Sequence, residues 1–221
     1  MRIQLTRKVR MRYYVETDGK VFLVNRAGTL DLPDREEVPF PFEEIAELPT
    51  HEPVLFCTPR LSRHPHEWLG KDELPYHSSV SPLAAEAVHT TMPRVVVEGI
   101  SIKGGAVLLV KGNRGLTAGL WSLPGGFLRF GETPPQALRR ELKEELQVKA
   151  KLEKLLAVKS KLGKKSNLHW IIIFYRISIA ERPSPNPDEI AAAKYFPLQQ
   201  AKRLLSDDLM REQVGLVASD I

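Results

Sequence analysis

The residue pattern predicts an α+β chain in two parts, a smaller β-rich region over residues 1–92 and a larger α+β region over 93–221. Three observations carry this. Proline is uneven, with ten of the 17 before residue 94, which breaks the first part into short elements. Glycine turns stand between runs rich in valine, isoleucine and tyrosine. One segment, 133–146, opens on a helix start signal and carries leucine at i+4 spacing.

In chain order, Tyr13-Tyr14-Val15 and Val21-Phe22-Leu23-Val24 flank Thr17-Asp18-Gly19-Lys20, a hairpin signal. From Pro33 to Pro59 the chain is acidic and proline-rich and reads as loop plus one short helix over Phe42–Leu48. Ser81-Pro82 caps a second short helix, with proline at its first position. The texture changes at Met92-Pro93-Arg94. Two β-rich runs, 95–100 and 106–110, then flank Lys103-Gly104-Gly105, a second hairpin signal. A loop over 111–120 leads to Trp121-Ser122-Leu123-Pro124-Gly125-Gly126. The main helix follows: Thr133 caps it, Pro134 begins it, and Gln136 completes a capping box. Leu138, Leu142 and Leu146 give its buried stripe. Beyond it come a lysine-rich segment to Lys165, a strand over 169–175, and a loop with Pro183, Pro185 and Pro187. A short strand at Lys194-Tyr195-Phe196, a final helix over 199–205 and a weakly patterned tail end the chain.

Bulk properties narrow the class. The 221 residues are 43% apolar and 27% charged, as in ordinary globular chains. A formal charge of +5 and a pI near 9.3 suit an anionic ligand. Cys57 is the single cysteine, which excludes an internal disulfide and a multi-cysteine zinc site and fits a reducing cytoplasm, the expected location. No long apolar run follows the basic residues 1–4, so no signal peptide is expected. The run Trp170 to Tyr175 is far short of the roughly 20 residues that span a bilayer. His51, His64, His66, His77 and His89 match no zinc spacing.

Chemistry concentrates on the 133–146 helix. At about 100° per residue, Glu141, Glu144 and Glu145 fall within one arc of roughly 100°, beside the leucine stripe. Like charges held together raise each other's pKa unless a cation joins them. Mg²⁺ is a natural partner, because it takes carboxylate oxygens and shares its shell with substrate phosphates. Taken alone, such an arc is also what a solvated acidic face looks like.

The surrounding residues extend this. Gly126, five residues, Glu132, seven residues, then Arg140-Glu141-Leu142-Lys143-Glu144-Glu145-Leu146-Gln147-Val148 resembles the Nudix box, G-x5-E-x7-R-E-U-x-E-E-x-G-U, where U is aliphatic. Gln147 stands where the family has glycine. A glycine there usually supplies a left-handed helix cap, so keeping that conformation with glutamine costs about 1 kcal/mol. The resemblance covers about 93–205 and leaves 1–92 without an assigned role.

It implies a Nudix α/β/α sandwich with a mixed sheet, and a Mg²⁺- or Mn²⁺-dependent hydrolase that splits a diphosphate linkage in a nucleotide or nucleoside diphosphate derivative. It implies that Glu141, Glu144 and Glu145 hold the metal, with the Gly125 carbonyl as a further ligand. Arg140 and Glu132 would form an ion pair locking loop to helix, with Gly126 a structural glycine of the box. Glu144 or Glu145 would help deprotonate water, and Glu189, after the proline loop, is the candidate for a distant base. Arg129, Lys161 and Lys164 could meet phosphate, and Trp121, Phe127 and Phe130 could border a base-stacking pocket. The expected partner is a small nucleotide-type molecule, with no membrane and with nucleic acid less favoured; a homodimer is open. Proline and tyrosine signals that mark ADP-ribose, dinucleoside polyphosphate and NADH subgroups are missing. A non-catalytic ligand sensor and a diphosphate isomerase stand as alternatives. The seven lysines from Lys149 to Lys165 read as a half-exposed hairpin with lysines on its wet face, or as a turn overhanging the site.

Overall fold

The computed structural model describes residues 10–164 and 166–219, with only the backbone at Leu116; residues 1–4 and Lys165, both noted above, lie outside the described residues. The chain divides into two compact units, Met1–Pro93 with Leu162–His169, and Arg94–Lys161 with Trp170–Ile221.

The first unit contains β1 (Arg12–Thr17), β2 (Lys20–Phe22), β3 (Val24–Arg26), β4 (Thr29–Asp31), β5 (Phe42–Leu48), β6 (Val54–Pro59), β7 (Leu69–Gly70) and α1 (Pro82–Thr91). Its five-stranded sheet runs β5-β6-β1-β2-β7. The Asp-Gly turn joins β1 to β2 as expected, with φ of 51° at Asp18 and 67° at Gly19. Both angles are positive, as a tight hairpin turn of matching twist requires. Ser81 caps α1 through its side chain, which accepts from the Ala84 amide. The helix expected over Phe42–Leu48 is instead the strand β5. Its three glutamates, Ala46 and Leu48 favour helix locally. The apolar β6, already paired with β1 along one edge, takes β5 antiparallel along the other, with a bulge between Glu44 and Ala46. Pairing of that buried edge outweighs local propensity.

The second unit contains β8 (Arg94–Ile100), β9 (Ile102–Lys103), β10 (Ala106–Gly112), β11 (Trp121–Ser122), β12 (Gly125–Phe127), α2 (Pro134–Leu146), β13 (Ala150–Leu162), β14 (His169–Ile179), β15 (Ile190–Pro197), α3 (Leu198–Leu204) and α4 (Asp208–Ser219). The second hairpin signal is half realised. Gly104 and Gly105 do turn the chain, but they join only β9 to β10. The run 95–100 is β8 of a different sheet, ordered β12-β8-β14-β13, in which β8 pairs parallel with β14 and antiparallel with β12. The strands β11-β10-β15 form the other sheet, with β9 on β10.

Alternation along β8 sends side chains to two cores. Val97 packs with Leu138, Leu142 and Leu146 of α2. Val96 and Ile100 pack with Leu205, and with Val214 and Val217 of α4. The sheets therefore lie between α2 on one side and α3 with α4 on the other, the α/β/α sandwich expected. The weakly patterned tail forms a further helix, α4, started by Asp207, whose Oδ1 accepts from the amides of Leu209 and Met210. No helix among the described residues is long and apolar enough to cross a membrane.

Candidate active site

The site is built where α2 crosses the two glycines of β12. The Thr133 amide donates to Gln136 Oε1 at 2.8 Å, the expected box, and fixes the register of the helix. That register lays Glu141 against Gly126. A Cβ on Gly126 would lie 2.6 Å from the Glu141 carboxyl carbon and 2.7 and 2.9 Å from its oxygens. One turn on, Glu145 Oε2 accepts from the Gly125 amide at 3.1 Å. Gly125 has φ of 147°, and a Cβ there would fall 2.0 Å from the Val97 carbonyl oxygen. Both glycines are needed for close approach, one to a carboxylate and one to a neighbouring strand.

Arg140 organises the rest. Its Nε and Nη2 donate to Glu132 at 2.6 and 2.9 Å, and Nη2 also reaches the Phe127 carbonyl at 2.9 Å. Nη1 donates to Glu141 Oε1 at 2.7 Å and to Glu144 Oε2 at 3.0 Å. The expected Glu132–Arg140 pair is therefore present, and the same guanidinium also holds two of the three box carboxylates. Arg129 adds a bond from Nη2 to Glu144 Oε2 at 3.1 Å, and its amide donates to Glu132 Oε2 at 3.0 Å. The hydrogen bond from Arg140 holds the Glu132 carboxyl down at about 2. Among the described residues no three His, Cys, Asp or Glu side chains stand together as a ready metal cage; the guanidinium interleaves with the acids.

The box carboxylates differ in environment. Burial pushes Glu145 up to about 8; the Gly125 amide opposes this, and the charges of Glu141, Glu189 and Glu144 add to it. Burial also raises Glu141, against the pull of Arg140. Glu144 is the more open of the three, with its side chain 35% exposed.

Glu189 comes to this region by way of the proline loop. The amides of Ser184 and Asn186 donate to the last-turn carbonyls of α2, Leu146 and Glu145, at 2.9 and 2.8 Å. Glu189 follows, paired with Arg114 at 2.7 Å and close enough for its charge to act on Glu145. Lys161 lies instead in an ion pair with Asp207, just before α4, and Lys159 pairs with Glu212 at 3.1 Å. Lys164 falls in the segment Leu162–His169, which belongs to the first unit. Trp121 is a core residue, edge-on to Phe196 at 4.8 Å. Phe127 is half exposed and Phe130 fully exposed.

One acid escaped the sequence reading. Glu98 sits on β8 directly opposite Gly125, only 7% exposed, and its Oε2 has no hydrogen-bond partner. Burial, then the charges of Glu145 and Glu141, raise its carboxyl well above the usual range, against the pull of Lys161. A glutamate inside the apolar run Val95-Val96-Val97-Glu98-Gly99-Ile100 was the available signal.

The family model for the NUDIX domain matches residues 91–215. The chain belongs to the NUDIX family. An ADP-ribose pyrophosphatase of Methanocaldococcus jannaschii is 33% identical over 115 residues, covering 52% of this chain and 68% of that protein. The nucleoside triphosphatase NudI of Enterobacter sp. is 47% identical over 55 residues, 24% of this chain and 39% of that one. A Nudix hydrolase structure from Nitrosomonas europaea superposes with a TM-score of 0.51 at 22% identity, over 58% of this chain and 90% of that one, a likeness of fold. This Nudix chain is a pyrophosphate-cleaving hydrolase. Its box, from Gly126 to Val148, lies wholly within the matched residues.

Proposed function

We propose that this Nudix hydrolase cleaves the diphosphate of a nucleoside diphosphate joined to a second moiety, using Mg²⁺ or Mn²⁺ held by Glu141, Glu144, Glu145 and the Gly125 carbonyl. One observation carries it: Glu141 and Glu145 converge on Gly125 and Gly126. The donors are hard oxygens, and carboxylates that repel one another are relieved by a divalent cation, so the residues fit the metal the family uses. When bound, the cation neutralises phosphate charge and acidifies a coordinated water. Arg140 keeps Glu141 and Glu144 in place and fastens the box loop through Glu132. We assign the proton of the attacking water to Glu144 or Glu145, with Glu189 from the loop beyond α2 as the further candidate base. We assign Arg129, which pairs with Glu144, as the cation that meets a substrate phosphate. The relatives named for ADP-ribose and for nucleoside triphosphates bracket the substrate class, and a charge of +5 suits it.

The test is hydrolysis of a panel led by ADP-ribose, with nucleoside triphosphates beside it, in Mg²⁺, in Mn²⁺ and in chelator. AMP and ribose 5-phosphate should form from ADP-ribose only with metal. Glu144→Gln and Glu145→Gln should each lower kcat by orders of magnitude while circular dichroism stays native. Turnover in chelator, or unchanged turnover in both variants, would end this assignment.

A further inference from the structure

The loop that carries Glu189 is held on two sides. Within Pro183-Ser184-Pro185-Asn186-Pro187 an amide N–H remains only at every second residue. Both donate to carbonyls of the last turn of α2, Ser184 to Leu146 at 2.9 Å and Asn186 to Glu145 at 2.8 Å. Last-turn carbonyls have no partner within their own helix, so the loop satisfies them. Asn186 then turns the chain. Its Oδ1 accepts from the Asp188 amide at 3.2 Å, and its carbonyl accepts from the amides of Glu189 and Ile190 at 3.1 and 2.8 Å. On the far side stands the loop between β10 and β11. The Asn113 amide donates to the Glu189 carbonyl and Asn113 Nδ2 to the Pro187 carbonyl, both at 2.8 Å. Arg114 Nη2 donates to Glu189 Oε1 at 2.7 Å.

This second loop is itself closed. Gly112 donates to the Leu120 carbonyl at 3.1 Å and accepts from the Gly119 amide at 2.9 Å. A Cβ on Gly112 would lie 2.4 Å from the Thr117 carbonyl oxygen, so the loop folds onto a residue without a side chain. A bulge against β15 falls between Lys111 and Gly112, and bulges re-aim the residues that follow. Asn113 and Arg114 therefore reach Glu189 from a braced footing. The Arg114–Glu189 pair is open to water, with side chains 69% and 27% exposed, so it contributes little to folding. What it fixes is the direction of one carboxylate, whose charge acts on Glu145.

We infer that Asn113 and Arg114 are positioning residues, which clamp the 183–189 loop and present the Glu189 carboxylate to the box carboxylates. The inference rests on the reading of Glu189 as a candidate base. A base on a loop is effective only where the loop is fixed, since a displacement of about 1 Å can cost up to about a hundredfold in rate. Three bonds from one closed loop and two to the end of α2 supply that fixing.

The experiment is a double-mutant cycle in the full-length enzyme, with ADP-ribose and Mg²⁺. Its members are Arg114→Ala, Glu189→Gln and the two together, with Arg114→Lys beside them. Arg114→Ala should lower kcat about tenfold or more with KM and Tm nearly unchanged. Arg114→Lys should recover most of kcat, because a single hydrogen bond can be supplied by a point charge. In the Glu189→Gln background, Arg114→Ala should change kcat by less than about twofold, since it acts only through the acid already removed. A second readout needs no turnover: amide hydrogen exchange of the loop in chelator. The Ser184 and Asn186 amides should exchange at least about threefold faster in Asn113→Ala/Arg114→Ala than in the wild type. A full kcat in Arg114→Ala beside a low one in Glu189→Gln overturns the positioning role alone. Additive losses would mean that Arg114 meets the substrate itself and also overturn it, as would unchanged exchange. A full kcat in Glu189→Gln removes the base and the positioning role with it. A wild type that cleaves no nucleotide yet loses exchange protection in the double variant would defeat the hydrolase assignment and uphold the clamp.

Discussion

Gln147 stands where the resemblance to the Nudix box leads one to expect glycine, and the structure makes the consequence measurable. The residue ends α2 in the left-handed region, with φ of 56° and ψ of 32°. Its amide donates to Lys143 at 3.1 Å, and the Val148 amide reaches the Leu142 carbonyl at 3.5 Å. This is the double closure of a left-handed helix cap. Its side chain is exposed, so substitution removes little packing. A non-glycine residue in this conformation costs about 1–2 kcal/mol. Glycine gives back roughly 0.5–1 kcal/mol through the entropy of the unfolded chain. Gln147→Gly should therefore stabilise the second unit by about 0.5–1 kcal/mol. For a chain of this size that is a rise of roughly 1–4 °C in Tm. Thermal unfolding in chelator, followed by circular dichroism, reads it directly. Gln147→Ala, which keeps the strain, is the control and should show no rise. A Tm for Gln147→Gly equal to or below the wild type would refute the argument that the cap is strained.

Three further predictions concern the site. Gly126→Ala should fold, because the group it displaces is the end of the flexible Glu141 side chain, yet lose at least about tenfold in kcat; Gly125→Ala meets the Val97 backbone and should lose folding first, as soluble yield and Tm will show. The Glu132 carboxyl is held down at about 2, so its contribution is present above the ordinary carboxylate pKa and is lost as pH falls from there toward 2. The Tm difference between wild type and Glu132→Gln should accordingly be largest near neutral pH and shrink below about pH 4; a constant difference would contradict the pairing. Glu98→Leu should raise apo stability by about 1–3 kcal/mol, since it removes a buried carboxyl whose Oε2 has no partner. A loss of stability in urea unfolding would mean that Glu98 has a structural bond.

The residues of the site were legible where their geometry is local. Thr133, Pro134 and Gln136 start a helix by contacts within four residues, and the structure keeps that start. Once the helix is set, the spacing of Glu141, Glu144 and Glu145 beside three leucines follows from its turn alone. The Glu132–Arg140 pair could be named because the box encodes it. Asp18-Gly19 and Ser81-Pro82 were readable for the same reason, since each is a conformational preference expressed within a few residues.

What failed to be legible depended on partners far along the chain. Residues 42–48 have helix-forming composition, and only the open edge of β6 makes them a strand. Ser101 divides one apparent hairpin between two sheets, a matter of which strands lie alongside. Lys161 looked like a loose cation until Asp207, 46 residues later, was brought against it. Glu98 read as an interruption in an apolar strand until pairing set it opposite Gly125 and near Glu145. By itself the sequence determined the capped helix, the arc of acids on it and thus the class of chemistry. Tertiary structure decided which acids are buried, which arginine holds them and which aromatic stays open, because burial and charge pairing are sums over neighbours that only the folded chain assembles.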